Sequence, residues 1–102
     1  MLLGDRLIVS HPAEHILLRE WRYASGLIEV GVYTPEVLPG SGAVLVAAVD
    51  NSGDSRKWSV YTGTRRHFRI RGKRAAIAWA IELAKRTDSY AAAVNVLERH
   101  AA

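Results

Sequence analysis

The spacing of apolar residues changes once along this chain of 102 residues, and that change constrains the fold more than any other feature. Up to Gly72, apolar and β-branched residues come in short runs separated by turn residues, which is typical of antiparallel strands. After Gly72, apolar residues recur every three or four positions, as they do on one face of a helix. The sequence therefore predicts an α+β fold, with the strands first and the helices last.

Four segments before Gly72 have the composition of strands and are bounded by glycine, proline or polar turn residues. They are Leu27 to Thr34, Ala43 to Val49, Lys57 to Thr62 and Arg66 to Arg71. The last two alternate in polarity, and Gly63-Thr64 between them predicts a hairpin.

Residues 12–25 are compatible with either a helix or a strand. As a helix, the segment begins near its proline and ends at Gly26, with Leu17 and Trp21 on one face. As a strand, Leu17, Trp21 and Tyr23 share a face, and a short turn leads into the next strand. The glycine in that turn favours the hairpin. We therefore expect an antiparallel meander of four or five strands.

Two C-terminal helices are predicted to pack on one face of this sheet, within a single domain of residues 1–102. The apolar stripe of the first helix consists of Ala76, Ile77, Trp79, Ala80, Ile81, Leu83 and Ala84. Thr87-Asp88-Ser89 supplies N-cap candidates for the second, whose stripe consists of Tyr90, Val94, Leu97 and Ala101. Because short chains need large buried side chains, Trp21, Trp58 and Trp79 are expected in the core.

The net charge of +4 is distributed unevenly along the chain. Residues 1–50 carry three basic and six acidic side chains, whereas residues 51–102 carry eleven basic and four acidic ones. The stretch from Arg56 to Arg74 holds eight cations and no acid. Charge concentrated in one stretch is typical of a surface that binds phosphate, although it also occurs on faces that merely keep a protein soluble.

Alternation assigns these cations to one side of the predicted hairpin. Matching the apolar residues places Trp58, Val60, Phe68 and Ile70 against the helix that follows. The other side then presents Lys57, Tyr61, His67, Arg69 and Arg71 to solvent. Cations beside an aromatic ring suit nucleic acid, because the cations neutralise phosphates and the ring can stack on an unpaired base. Tyr61 could instead simply pack against arginine stems.

The same region has a recognisable order of features: a Trp-x-Val strand, a basic turn, a Phe-bearing strand and an alanine-rich helix. These features are Trp58 to Val60, Arg65 and Arg66, Phe68, and residues 73–80. Over about residues 43–86 the chain resembles small three-stranded DNA-binding domains, such as the arm-site domain of tyrosine recombinases and the AP2-type domain of transcription factors. In those families the sheet face enters the major groove and the helix packs behind it. The resemblance implies that DNA is contacted by Arg56, Lys57, Tyr61, Arg65, Arg66, Arg69 and Arg71.

The sequence thus predicts a small, non-catalytic, architectural or regulatory protein that binds nucleic acid, with DNA favoured over RNA. Its predicted binding residues are Arg56, Lys57, Tyr61, Arg65, Arg66, His67, Arg69, Arg71, Lys73 and Arg74. The alternatives are a protein-interaction module that binds an acidic partner, such as a viral accessory protein, and a self-assembling structural subunit. A homodimer is expected, because a meander has open edges and the alanines at 91–93 allow close packing.

Several chemistries are not expected from this sequence. The chain has no cysteine, which excludes disulfides and thiolate metal sites. His11, Glu14 and His15 follow the order of inverted zinc proteases, but a proline interrupts the motif and so small a domain leaves little room for a cleft. We therefore predict no catalytic residue, metal or cofactor. The absence of a long apolar stretch and of a signal peptide predicts a cytoplasmic protein without membrane segments.

Overall fold

The protein contains one six-stranded antiparallel sheet in which every strand pairs with its neighbour in the chain. The computed structural model describes residues 2–11, 15–34, 43–52, 56–62 and 67–101. The strands are β1 (Leu2–His11), β2 (Ile16–Tyr23), β3 (Ile28–Thr34), β4 (Val44–Asp50), β5 (Lys57–Thr62) and β6 (His67–Arg71). Two helices follow, α1 (Lys73–Ala84) and α2 (Asp88–Ala101). The predicted α+β meander with two C-terminal helices is confirmed.

The pairing of β2 with β3 shows which of the two predicted structures the segment 12–25 adopts. This holds for its described part, residues 15–25. β2 is a strand whose Leu17 pairs with Tyr33 and whose Arg22 pairs with Ile28. Its turn is closed by a hydrogen bond from the Tyr23 N–H to the Leu27 carbonyl, 3.0 Å. Gly26 provides the positive φ of 92° that this turn requires.

The sheet has six strands, whereas four or five were predicted, because β1 adds to its N-terminal edge. The pairing of β1 with β2 shifts register between Leu2 and Gly4 and again between Val9 and His11. Each shift interrupts the period-two alternation by which a strand is recognised. No strand was predicted from the sequence over these residues.

The core lies between the sheet and α1. Alternation sends Leu18, Val32, Val49, Trp58 and Val60 to the same face of the sheet, and all five are buried. Three alanines of α1 meet this face and have no exposed surface: Ala76, Ala80 and Ala84. Because these side chains are small, the helix axis can approach the sheet closely. The prediction that the helices pack on one face of the sheet is confirmed.

Both helices begin as their sequences predict. Gly72 precedes α1 with a φ of 90°, a conformation that side-chain-bearing residues rarely adopt. Thr87 caps α2, because its hydroxyl accepts a hydrogen bond from the Tyr90 N–H at 3.2 Å. Neither helix, within the described residues, combines the length and apolarity needed to cross a membrane.

Only one of the three tryptophans lies in the core, so the prediction that all three do is wrong. Trp58 is 4% exposed and packs under α1. Trp79 is 36% exposed and lies outside the core cluster, and the Arg86 guanidinium stands 5.9 Å from its ring. Trp21 lies on the face of the sheet opposite to Leu18.

Candidate nucleic-acid interface

The sheet has an open face, which no described helix or strand covers, because both helices contact the opposite face. We define the open face by the side chains that the strand registers place on it. They are Leu17, Arg19, Trp21, Tyr23, Glu29, Gly31, Tyr33, Leu45, Ala48, Asp50, Lys57, Ser59, Tyr61, Arg69 and Arg71. This face is the surface on which the predicted binding residues can be located.

Three cations of the β5–β6 hairpin form a basic patch on the open face: Lys57, Arg69 and Arg71. Lys57 pairs with Arg71 across the two strands, and Ser59 pairs with Arg69. All three cations are exposed. Within the described part of the chain, none of them forms an ion pair with a carboxylate. Like charges held this close repel one another, so an anionic ligand would relieve an unfavourable interaction.

The other predicted binding residues are distributed around this patch. Arg56 is exposed just before β5, where its carbonyl accepts a 3.1 Å hydrogen bond from the Gly72 N–H. Tyr61 is half-buried on the open face, and its strand partner is His67, whose side chain lies outside the described part. Arg74 is exposed in the first turn of α1. Arg65 and Arg66, with the predicted Gly63-Thr64 turn, lie outside the described residues.

Lys73 lies apart from the basic patch, on the helix-covered side of the sheet. Its ammonium donates to Oε1 of Glu20, and Arg22 Nε donates to Oε2 of the same carboxylate at 3.2 Å. Glu20 is only 3% exposed. Burial raises the pKa of Glu20, but the hydrogen bonds and charges of Lys73 and Arg22 outweigh it and hold that pKa below its usual value. The Lys73 side chain thus anchors the start of α1 to β2.

A shallow depression with aromatic walls lies beside the basic patch, and the sequence analysis did not identify it as a site. Its volume is about 320 Å³. It is lined by Trp21, Glu29, Val30, Gly31, Tyr33, Leu45, Ala48, Val49, Asp50 and Tyr61. Alternation within β2 places Trp21 on a common face with Leu17 and Tyr23. It does not indicate which residues of the other strands lie beside Trp21. We call this feature the aromatic depression.

Arg19 holds one side of the aromatic depression in place. Its Nε donates to Oδ1 of Asp5 at 2.8 Å, and its Nη2 donates to the other carboxylate oxygen. The hydrogen bond from Arg19 lowers the pKa of Asp5. The Arg19 guanidinium also stands 5.4 Å from the ring of Trp21, a cation–π contact. Burial raises the pKa of the neighbouring Tyr33 hydroxyl.

Of the histidine motif, the structure describes only the His15 side chain. His11 ends β1 and His15 immediately precedes β2, while Glu14 lies outside the described residues. His15 has a positive φ of 57°, so the chain reverses there and does not continue a helix. Among the residues that the structure describes, no three histidine or carboxylate side chains group as metal ligands would.

Within residues 43–86, β4, β5 and β6 run antiparallel and α1 packs behind them, on the face opposite to the basic patch. Comparison of the chain with family models, curated proteins and solved structures finds no match.

Proposed function

We propose that this protein binds nucleic acid through the open face of its sheet, as a non-catalytic architectural or regulatory factor. The observation that carries the proposal is the basic patch: three exposed cations side by side on a face that no described element covers. Cations that are merely concentrated in one stretch of the sequence are also compatible with a solvated surface that binds nothing. Cations collected on one side of a hairpin present a continuous surface for a polyanion.

The chemistry of the patch suits phosphate. Arginine donates two parallel hydrogen bonds from a planar group that stays charged, and two of the three patch residues are arginines, Arg69 and Arg71. Arg56 lies at the same end of β5 as Lys57 and extends the patch. Arg65, Arg66, His67 and Arg74 remain part of the proposed surface on the grounds of sequence. Lys73 has a structural role and is left out.

Acidic side chains limit the phosphate-binding region to one end of the open face. Glu29, Asp50, Ser59 and Arg69 are successive partners across β3 to β6. Neighbouring strands are about 4.8 Å apart, so Asp50 lies about 10 Å from Arg69. Phosphates are therefore expected over β5 and β6, and other parts of the ligand over the centre of the sheet.

A salt titration tests this function. Binding of fluorescently labelled single-stranded and duplex DNA is measured by anisotropy at several salt concentrations, and RNA of the same sequence is compared. The double variant Arg69→Ala/Arg71→Ala is expected to weaken binding and to reduce the slope of log K against log salt by roughly 1.5, since each lost phosphate contact removes about 0.7 to 0.9.

A matched control removes two exposed arginines away from the open face, Arg86→Ala between the helices and Arg99→Ala in α2, and so changes the net charge by the same amount. This variant is expected to keep the wild-type slope. Equal losses in both variants would show that only overall charge matters and would contradict a defined interface. No binding to any nucleic acid at low salt would overturn the proposal, and capture of an acidic protein would then favour the interaction module.

The proposal includes a homodimer located in the cytoplasm. β1 forms one edge of the sheet, and its outer backbone groups have no strand partner among the described residues. Leu3, near the start of this edge, is 66% exposed. A second β1 paired to this edge would satisfy these groups and extend the sheet, leaving both open faces accessible.

A further inference from the structure

The aromatic depression is built by two small residues at the centre of the open face. Gly31 and Ala48 are partners across β3 and β4, so no long side chain rises from the floor. Their neighbours are larger: Trp21 and Tyr33 line one side and Tyr61 lines the other. The volume of about 320 Å³ lies at the lower end of the range of small-molecule sites, about 300–1,000 Å³.

The absence of a side chain at Gly31 determines how the aromatic wall is arranged. A Cβ atom placed there would lie 2.6 Å from Cε2 of Tyr33, so the tyrosine ring rests where that atom would be. The rings of Trp21 and Tyr33 have centroids 6.4 Å apart and planes inclined at 59°. Aromatic faces supported by packed neighbours form a surface on which a flat ring can stack.

Two carboxylates stand along one side of the aromatic depression. Glu29 and Asp50 are direct partners across β3 and β4, and both line it. The Tyr23 hydroxyl donates weakly to Glu29 at 3.4 Å, and Oδ1 of Asp50 accepts bonds from the backbone N–H and the hydroxyl of Ser52. Each carboxylate keeps further acceptor capacity. These groups repel phosphate and instead accept hydrogen bonds from N–H donors.

We propose that the aromatic depression binds one unpaired base of a single-stranded nucleic acid, with guanine the best match; this inference rests on the proposed function. Guanine presents two adjacent donors, N1–H and the 2-amino group, and one carboxylate can accept both. Thymine has no amino group and directs carbonyl oxygens towards the acids. In a duplex the same edge is occupied by base pairing, so single strands are preferred.

Tyr61 connects the aromatic depression to the basic patch. It belongs to β5, the strand that also carries Lys57, and it lines the depression from that side. Phosphates next to a base that stacks beside Tyr61 can reach the basic patch, because Tyr61 and Lys57 lie on the same face of β5. The charges match both parts of one ligand: cations meet phosphates, and carboxylates meet the donor edge of the base.

The experiment compares oligothymidylates of about ten nucleotides that carry a single central substitution. Anisotropy titrations use the unsubstituted strand and strands with one guanine, one cytosine or one hypoxanthine, which keeps N1–H but lacks the 2-amino group. The guanine strand is expected to bind roughly tenfold more tightly than oligothymidylate, with hypoxanthine between them. Pairing the guanine strand with its complement is expected to abolish this advantage.

Two variants separate base recognition from general charge effects. Glu29→Gln/Asp50→Asn removes two negative charges, so oligothymidylate should bind as well as before or better, while the advantage of guanine is lost. Ala48→Leu fills the depression and should remove the same advantage, and Ala75→Leu on the exposed side of α1 is its control.

The possible failures are distinguishable. Salt-dependent binding without any preference among the four strands, or a preference for the duplex, would overturn this inference and leave the proposed function standing. The inference would also fail if guanine kept its advantage in the carboxylate variant. Absence of binding to every strand would overturn both.

Discussion

Glu20 shows how one buried charge ties the N-terminal half of the chain to the first helix. The carboxylate lies on β2, on the helix-covered face, and receives hydrogen bonds from Lys73 and Arg22. Ionised carboxylates are rarely buried unless they are paired, because desolvation costs more than a single interaction returns. Here the two donors keep Glu20 ionised, so Lys73 contributes to the fold and lies apart from the basic patch.

The lowered pKa of Glu20 predicts a pH-dependent stability. Since its pKa in the folded state lies below the ordinary value of 4.5, this carboxylate stabilises the protein above pH 4.5, and the contribution is lost as the pH falls through the folded-state pKa. Glu20→Gln is expected to lower the free energy of unfolding at pH 7 by about 1–3 kcal/mol. The reason is that the amide NH2 group of glutamine would face Lys73 or Arg22, which are themselves hydrogen-bond donors.

Urea unfolding at pH 7 and pH 3 checks this expectation. The difference between wild type and Glu20→Gln should shrink towards acid pH. Glu98→Gln, at an exposed position of α2, serves as the control and should change stability by less than about 0.5 kcal/mol at either pH. A constant difference across this range would show that the charge of Glu20 is not responsible.

At the scale of single elements, the position of α1 depends on its alanines. Ala76, Ala80 and Ala84 recur every four residues and have no exposed surface, whereas Ala75 and Ala78 are exposed. Apolar periodicity predicted both the helix and the face that meets the sheet, since Ile77, Ile81 and Leu83 of the predicted stripe also pack against the core. Trp79 is the exception within the predicted stripe, because it is 36% exposed and lies outside the core cluster.

This packing predicts contrasting effects for two alanine substitutions in α1. Ala80→Leu inserts a larger side chain where the helix and sheet are in contact, and it is expected to destabilise the protein by about 1–3 kcal/mol. Ala78→Leu, on the exposed side, should change the free energy of unfolding by less than about 0.5 kcal/mol. Thermal and urea unfolding measure the loss of stability in each variant. Similar losses at the two positions would contradict the described packing.

At the scale of the whole molecule, the sheet has two unequal edges. β6 carries Arg69 and Arg71, and charged side chains discourage pairing with another strand. β1 is the longest strand at ten residues and begins with two exposed leucines, Leu2 and Leu3. The proposed dimer therefore uses β1, and the basic patch lies at the far edge from this interface.

Sedimentation velocity over a range of concentrations tests the dimer. The chain should sediment at twice its 11.3 kDa mass, and Leu3→Lys should shift it to the monomer because a charge at the start of β1 opposes edge pairing. Leu45→Lys replaces a comparably exposed leucine on central β4 and should leave the dimer intact. A monomer at all concentrations, or dissociation by Leu45→Lys alone, would contradict an interface at β1.

Local patterns were sufficient to predict the order of strands and helices, the two helix starts and the outward direction of Lys57, Arg69 and Arg71. Alternation, turn residues and caps act over a few neighbouring residues, so one sequence contains them in full. They did not predict β1, whose apolar residues come in clusters and do not alternate with polar ones, or the exposed position of Trp79. The aromatic depression also escaped prediction, because it forms only when strand registers bring together Trp21, Gly31, Ala48 and Tyr61, which are far apart in the chain. Register depends on the packing of the whole sheet against α1, and this is a property of the assembled molecule.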